Sequence, residues 1–139
     1  MKPLVSASVR TRPEFYDLDP MNVVWHGNYT RFFELARFAV LEKIDYSYEQ
    51  MQSSGYMWPI VDMRIRFYRP LRLRQWIDVS AALVEWETRL RIDYLVRDAD
   101  DGRRLTKGRT LQVAVDAETE EMLWETPRIL REKLAPFLV

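Results

Sequence analysis

The sequence predicts an α+β fold in which a curved antiparallel sheet wraps around one long helix. Two patterns support this prediction: apolar residues recur with helical spacing between Tyr29 and Ile44, and apolar and polar residues alternate through much of the second half of the chain. A helix with an aromatic stripe must bury that stripe, and a curved sheet is the simplest cover. The 139 residues suffice for one core and not for two, so a single domain is expected over residues 1–139.

The chain begins with a predicted strand and the long helix. The strand lies within residues 4–15 and is expected at an edge of the sheet, because Pro13 has no N–H to donate to a ladder. An irregular connection follows, and Asn28 is positioned to cap the helix. On the polar side of the helix, Glu34 and Arg37 have the spacing of an ion pair. On the side that is expected to be buried, apolar residues recur every three or four positions: Tyr29, Phe32, Phe33, Ala36, Val40 and Ile44.

The rest of the chain is predicted to consist mostly of strands. A short second helix or a loop is expected first, where the helical periodicity is lost after Ile44. Pro127 has the position of a first-turn proline in a C-terminal helix. Between them four strands are expected, at residues 58–68, 76–86, 88–97 and about 105–116. The second and third of these strands are expected to form a hairpin joined near Glu87. Such an open sheet exposes an edge, so self-association is expected.

The composition excludes several classes of function. The chain has no cysteine and one histidine, which removes disulfide frameworks, Cys-based zinc sites, thiol nucleophiles and any site that needs two imidazoles. No metal and no cofactor is expected. Because 21 Lys and Arg balance 21 Asp and Glu, no nucleic-acid partner is expected either. No apolar run approaches the roughly 20 residues of a membrane span. The segment from Met1 to Arg12 lacks the apolar core of a signal peptide, so a cytoplasmic protein is expected.

The densest group of chemically special residues lies between Asp17 and Tyr29. It contains two carboxylates, the single histidine and an Asn directly before the predicted helix. Each could serve structure alone, because Asp and Asn side chains commonly bond to turn backbones. The start of a helix, however, presents unpaired N–H groups and a positive dipole end, which can polarise a carbonyl and hold an oxyanion. Asp19 could then act beside that carbonyl as a nucleophile or a general base.

The same segment resembles the 4-hydroxybenzoyl-CoA thioesterase branch of the hot-dog-fold acyl-CoA thioesterases. The matching positions are Asp17, Asp19, His26, Asn28, Tyr29, Phe32, Phe33, Glu34, Ala36 and Arg37. Weaker similarity extends the resemblance over nearly the whole chain, at Phe67, Pro70, Arg97, Asp98, Gly102, Gly108 and Thr110. The resemblance implies a hot-dog fold, with a five-stranded antiparallel sheet around one long helix. It also implies hydrolysis of an acyl-CoA substrate by a homodimer or homotetramer.

The resemblance further implies roles for individual residues. Asp19 is the catalytic carboxylate, and the backbone N–H at His26 polarises the thioester carbonyl, with the imidazole as a possible auxiliary. Substrate contacts are also expected at five positions: Trp25, Asn28, Tyr29, Trp58 and Arg89. Trp58 would either border the acyl group, because aromatic side chains adapt to apolar ligands, or only pack against the sheet or a second subunit. Arg89 would meet the phosphates of CoA, because it lies in a turn that is often basic in relatives.

Departures from the family pattern keep other functions open. Asn22 stands where the family has a glycine, and it can adopt the left-handed conformation only at some cost. The altered loop leaves a non-catalytic acyl-CoA or acyl-carrier binding protein as the alternative. A run of arginines is either a solvated sheet face, a site for CoA phosphates or, as the weakest possibility, a nucleic-acid surface: Arg64, Arg66, Arg69, Arg72 and Arg74.

Overall fold

The structure, a computed structural model, describes residues 2–138. Its helices and strands are, in chain order, β1 (Val5–Thr11), α1 (Tyr29–Lys43), α2 (Tyr48–Ser53), β2 (Tyr56–Met57), β3 (Ile60–Phe67), β4 (Ile77–Glu85), β5 (Leu90–Asp98), β6 (Arg104–Gln112), β7 (Val115–Asp116) and α3 (Arg128–Leu134). Five strands form one antiparallel sheet in the order β1-β4-β5-β6-β3, and β2 pairs with β7 in a separate ribbon. The predicted hot-dog architecture is confirmed.

The core lies between α1 and one face of the sheet. The alternate residues of β4 and β5 that face this core are at most 2% exposed: Ile77, Val79, Ala81, Leu83, Leu90, Ile92, Tyr94 and Val96. This is the alternation predicted for these strands, and they pair as the predicted hairpin. From α1, Phe33 stacks on Tyr94 with ring centroids 4.5 Å apart. The aromatic stripe of the helix is thereby buried, as its spacing required.

The segment leading into α1 differs from the prediction at both ends. β1 lies at the sheet edge as expected, but it ends at Thr11 instead of continuing to residue 15. The predicted cap is wrong, because the Asn28 side chain makes no capping hydrogen bond. A 3₁₀ turn, His26–Asn28, precedes α1, so Asn28 already has helical backbone angles and lacks the extended conformation of a capping residue. Its side-chain amide instead donates to the Asp17 carbonyl at 3.0 Å.

β3 forms the opposite edge of the sheet. A bulge between Ile60 and Asp62 shifts its register against β6, so the regular alternation begins only beyond the bulge. From there, three residues face the α1 side of the sheet: Met63, Ile65 and Phe67. No other strand within residues 2–138 covers this edge. Val61 is accordingly 58% exposed and Phe67 is 49% exposed.

The shorter elements follow the prediction with two changes. The expected short helix is α2, which begins with a capping box at Ser47 and Gln50. Pro127 directly precedes α3 rather than lying in its first turn. The strand expected at 105–116 is divided into β6 and β7, because the chain leaves the sheet after Gln112. Among residues 2–138, no helix combines the length and apolar character needed to cross a membrane.

Candidate active site

A cleft of about 350 Å³ opens beside the start of α1. Its walls come from the loop before the helix and from the segment that ends β3: Asp19, Met21, Val23, Val24, His26, Tyr29, Phe67, Tyr68, Arg69 and Pro70. Backbone contacts join the two walls. The Val24 N–H donates to the Leu71 carbonyl at 2.9 Å, and Val23 and Arg72 form an isolated β-bridge. The cleft is therefore part of the fold and not a gap between independent loops.

The two motif carboxylates have different surroundings. Asp17 is 1% exposed, accepts the Glu14 N–H at 2.9 Å and pairs with the guanidinium of Arg31. Asp19 lines the cleft and forms no ion pair with any group in residues 2–138. One carboxylate is thus satisfied by the protein, and the other is open to a ligand.

The Asp19 carboxylate is held by a tight turn. Its Oδ1 accepts the Met21 N–H at 2.8 Å, and its carbonyl accepts the Asn22 N–H at 3.0 Å. Asn22 has a φ of 61°, the left-handed conformation expected of the residue that replaces glycine here. The turn therefore keeps its shape with Asn, and the second carboxylate oxygen of Asp19 remains available for chemistry.

Two backbone donors lie just before α1, at His26, which lines the cleft, and at Gly27, which does not. Within residues 2–138, the N–H groups of His26 and Gly27 have no hydrogen-bond acceptor. The Trp25 ring lies over Gly27, where a Cβ atom would stand 2.2 Å from the indole. A side chain at this position would displace the ring, so glycine keeps the turn compact. The free donors precede α1, whose N-terminal dipole adds to their positive potential.

Tyr29 forms the floor of the cleft. It is 3% exposed, and its ring meets Phe67 edge to face with centroids 4.8 Å apart. Its hydroxyl accepts the Leu71 N–H at 3.4 Å. Burial raises the pKa of the Tyr29 hydroxyl above its ordinary value, and the negative charge of Asp19 acts in the same direction. The hydroxyl is therefore a neutral group at physiological pH.

The structure brings together only some of the residues predicted from the sequence. Asp19, His26 and Tyr29 line the cleft. Trp25 and Asn28 lie beside it and do not line it: the Trp25 N–H donates to the Asp17 carbonyl, to which the Asn28 amide also donates. The predicted contacts of these two residues with substrate stay predictions.

The other two predicted positions lie outside the cleft. Trp58 is buried in the core and donates from Nε1 to the Tyr46 hydroxyl at 3.3 Å. Arg89 lies in the turn between β4 and β5 and pairs with Glu85 at 2.9 Å. Within a single chain, neither side chain contributes to the cleft.

Of the residues in this wall of the cleft, Tyr68 was not identified as a site residue from the sequence, and Arg69 was named only as a member of the arginine run. They follow β3 directly, and Pro70 marks the point where the strand can no longer continue. The pairing of this segment with residues 23–24 has no local signal in the sequence.

The cleft combines an unpaired carboxylate, free backbone donors and aromatic walls. Donors beside the start of a helix polarise a carbonyl, and the carboxylate can attack it or activate water. Among the residues described, no three His, Cys, Asp or Glu side chains are grouped so that they could hold a metal ion. The arrangement supports acyl transfer or hydrolysis by these protein groups.

Comparison with known proteins agrees with this geometry. Residues 13–137 match the family model described as the Thioesterase-like superfamily. A Synechocystis protein named for a suspected esterase activity is 27% identical over 127 residues, which are 91% of this chain and 75% of that protein.

Two solved structures have closely similar folds. The DHNA-CoA thioesterase from Staphylococcus aureus superposes with a TM-score of 0.84 at 21% identity, over 94% of this chain and 89% of that chain. The 1,4-dihydroxy-2-naphthoyl-CoA thioesterase from Synechocystis superposes with a TM-score of 0.83 at 17% identity, over 94% and 96% of the respective chains. At these identities the two likenesses establish the fold.

Proposed function

We propose, since this chain belongs to the Thioesterase-like superfamily, that its Asp19 cleft hydrolyses an acyl-CoA thioester to the free acid and CoA. One observation carries the proposal. A carboxylate that forms no ion pair within residues 2–138 shares the cleft with His26, whose backbone N–H has no acceptor there. These are the two groups that hydrolysis of a thioester needs, a base or nucleophile and an oxyanion donor.

The reaction follows from the placement of these groups. The thioester oxygen binds at the backbone N–H of His26, which stabilises the negative charge that develops on it. Asp19 either attacks the carbonyl carbon, forming an anhydride that water opens, or takes a proton from the attacking water. In both routes the C–S bond breaks and the CoA thiolate takes up a proton. The neutral Tyr29 hydroxyl adds no competing charge beside Asp19.

We further infer an aromatic acyl group, as in the 4-hydroxybenzoyl-CoA branch of the family. The walls beside Asp19 are aromatic, with Tyr29 and Phe67 in edge-to-face contact and Tyr68 next to them. Flat apolar ligands gain most from such walls. The Synechocystis structural neighbour is named for a naphthoyl thioester, which supports the same inference.

We also propose that two copies pair through the β3 edge to form a homodimer. An uncovered strand edge exposes backbone donors and acceptors that another strand can satisfy. Here the edge also exposes apolar side chains, because Val61 is 58% and Met63 36% exposed. Pairing two identical edges about a twofold axis satisfies the backbone groups and buries these side chains in one step.

Such pairing would bring the segment before β3 of one copy to the cleft of the other. In an antiparallel pair, the beginning of one β3 lies beside the end of the other. β3 ends at Phe67 in the wall of the cleft, so the residues before Ile60 of the second copy would arrive there. Within its own chain Trp58 is buried, but its neighbour Met57 is 45% exposed and available for such a contact.

Several predictions from the sequence stand without support from the geometry of the single chain. The contact of Arg89 with CoA phosphates remains one, since this residue lies outside the cleft. A cytoplasmic location, the absence of a nucleic-acid partner and assembly beyond a dimer also remain predictions.

The direct test is release of CoA thiol from a panel of aryl and aliphatic acyl-CoA esters. We expect turnover by the wild type to be fastest with aryl esters. Asp19→Asn should lower turnover at least about a hundredfold, the lower end of what a positioned base contributes. The Asn side chain retains an oxygen for the Met21 N–H, so an unchanged melting temperature is the folding control.

Two outcomes would contradict the proposal. If the wild type bound acyl-CoA without releasing thiol from any ester, the non-catalytic binding protein would be the better account. If Asp19→Asn hydrolysed the best ester at the wild-type rate, Asp19 would not be the catalytic carboxylate.

A further inference from the structure

A second cluster of charge lies on the sheet face that points away from α1. Strands β3, β5 and β6 line a shallow groove of about 580 Å³ there. The groove shares no lining residue with the Asp19 cleft, since alternate residues of a strand point to opposite faces. Five cations and one carboxylate line it: Arg64, Arg66, Arg91, Lys107, Arg109 and Asp93.

The register of the sheet places like charges directly opposite each other. Arg64 pairs with Arg109 across β3 and β6, and Arg66 pairs with Lys107. Opposite side chains have Cβ atoms about 5 Å apart, and successive residues on one face of a strand are about 7 Å apart. Like charges in this arrangement destabilise a sheet. Four positive charges are therefore concentrated in one small area at a cost in folding free energy.

Nearby carboxylates neutralise this cluster only in part. Asp93 is already bound by Arg91, whose Nε donates at 3.0 Å. Asp62 lies 3.8 Å from Arg64 and 3.9 Å from Arg109, near the limit for an ion pair. These two acids therefore leave the groove with an excess of positive charge.

Three of the cationic side chains keep donors that the protein does not use. Within residues 2–138, neither Arg66 nor Lys107 has a carboxylate within ion-pair distance. The Nε of Arg109 is buried and has no acceptor there. A buried guanidinium N–H without an acceptor carries a desolvation penalty, so the Arg109 side chain gains by turning toward a bound anion.

We propose that this groove binds a small anion with two neighbouring phosphates, such as the diphosphate of a nucleotide. Arg66 and Lys107 supply charge, and Arg109 supplies a directed donor from a planar guanidinium. The groove volume is within the usual range for small-ligand sites. An occupied groove also relieves the repulsion between the opposed cations.

This ligand chemistry has two sources. One is the nucleotide end of the CoA substrate, in which case the inference rests on the proposed function. The other is a free nucleotide that binds independently of the Asp19 cleft. Binding measurements in the absence of turnover test whether the groove binds such an anion. Steady-state kinetics then distinguish the two sources.

Binding is measured calorimetrically on the full chain with inorganic pyrophosphate, ADP and adenosine. We expect pyrophosphate and ADP to bind and adenosine, which has no phosphate, not to bind. The double variant Arg66→Ala/Lys107→Ala should weaken ADP binding at least about tenfold, because two charge-assisted contacts are lost. Its melting temperature should not fall, because the change removes opposed like charges.

Arg128→Ala is the matched control. Arg128 is an exposed arginine on α3 that forms no ion pair within residues 2–138, and it lies outside the groove. We expect this variant to bind ADP as the wild type does. Failure of the wild type to bind pyrophosphate and ADP would overturn the proposal, as would equal ADP affinity in the wild type and the double variant. Neither result depends on turnover, so thioesterase activity is tested separately.

The source of the anion follows from KM values for an acyl-CoA and for the matching acyl-pantetheine thioester. If the double variant raises KM for the acyl-CoA alone, the groove holds the nucleotide end of the substrate. If both KM values stay unchanged while ADP binding weakens, the groove holds a separate nucleotide. Both results support the anion site and assign its ligand.

Discussion

Arg31 of α1 donates hydrogen bonds to both carboxylate oxygens of Asp17, from Nε at 3.0 Å and from Nη2 at 2.5 Å. The Asp17 carbonyl in turn accepts the Trp25 N–H at 2.9 Å and the Asn28 amide at 3.0 Å. This one residue therefore ties the loop, the 3₁₀ turn and the helix together at the edge of the cleft. Asp19, two positions later, is left to face the ligand.

Asp17→Asn should lower the free energy of unfolding by about 1–3 kcal/mol, because Arg31 loses its carboxylate partner. The Arg31 side chain is 39% exposed, which keeps the cost below that of a fully buried pair. Urea unfolding measures the change. Asp19→Asn is the control, with an expected change within about 0.5 kcal/mol. Equal losses in the two variants would contradict this division of roles.

His26→Ala should reduce kcat/KM less than Asp19→Asn does. The donor assigned to the oxyanion is the His26 backbone N–H, which alanine retains. Initial rates with the best ester should show a loss below about tenfold for His26→Ala, against at least about a hundredfold for Asp19→Asn. A larger loss in His26→Ala would instead assign the imidazole to the chemistry.

Gly108→Ala should destabilise the protein, because the long helix touches the sheet backbone at this residue. A Cβ atom at Gly108 would stand 2.5 Å from the Phe33 ring and 3.3 Å from the Arg64 carbonyl oxygen. We expect a loss of about 1–3 kcal/mol, typical of overpacking, measured by denaturant unfolding. Adding Phe33→Leu should make the Gly108→Ala change less costly. If the two changes were simply additive, the close contact would not be the cause.

Asp98 should make stability depend on pH in the acid range. Hydrogen bonds from the Gln75 side chain, and then from the backbone N–H groups of Asp100 and Asp101, hold the pKa of Asp98 below its ordinary value. A lowered pKa means that folding favours the ionised form. This stabilisation is complete above the unfolded pKa of about 3.9 and is lost as the pH falls through the folded pKa.

Comparison with Asp98→Asn tests this linkage by urea unfolding at a series of pH values. The difference in unfolding free energy between wild type and variant should be constant above about pH 5 and should shrink below about pH 4. A difference that persisted unchanged to about pH 3 would show that the charge of Asp98 is not responsible.

Met63→Lys should disrupt association, because it places a charge on the apolar β3 edge. Light scattering of the wild type should give a mass above the 16.7 kDa of one chain, and the variant should approach that value. Leu73→Lys is the control, since Leu73 is 45% exposed and lies away from β3. A wild-type mass of one chain across micromolar concentrations would refute the dimer.

Local patterns in the sequence were sufficient to predict the long helix and the central strand hairpin, while the family resemblance supplied the five-stranded sheet. The apolar alternation of β4 and β5 and the helical spacing from Tyr29 onward each follow from which side of an element must be buried, and both patterns are found in the structure. The motif around Asp19 and His26 could also be located, because its residues are close together in the chain. Hydrophobic periodicity is a local property, so a sequence displays it directly.

Only the tertiary structure decided how the site is completed. It separated the buried Asp17 from the open Asp19, and it showed that Asn28 bonds to the loop and does not cap the helix. It also brought the end of β3, with Tyr68 and Arg69, against the motif loop. These outcomes depend on contacts between segments far apart in the chain. The periodicity of either segment reports which of its faces is buried, but not which distant segment covers that face.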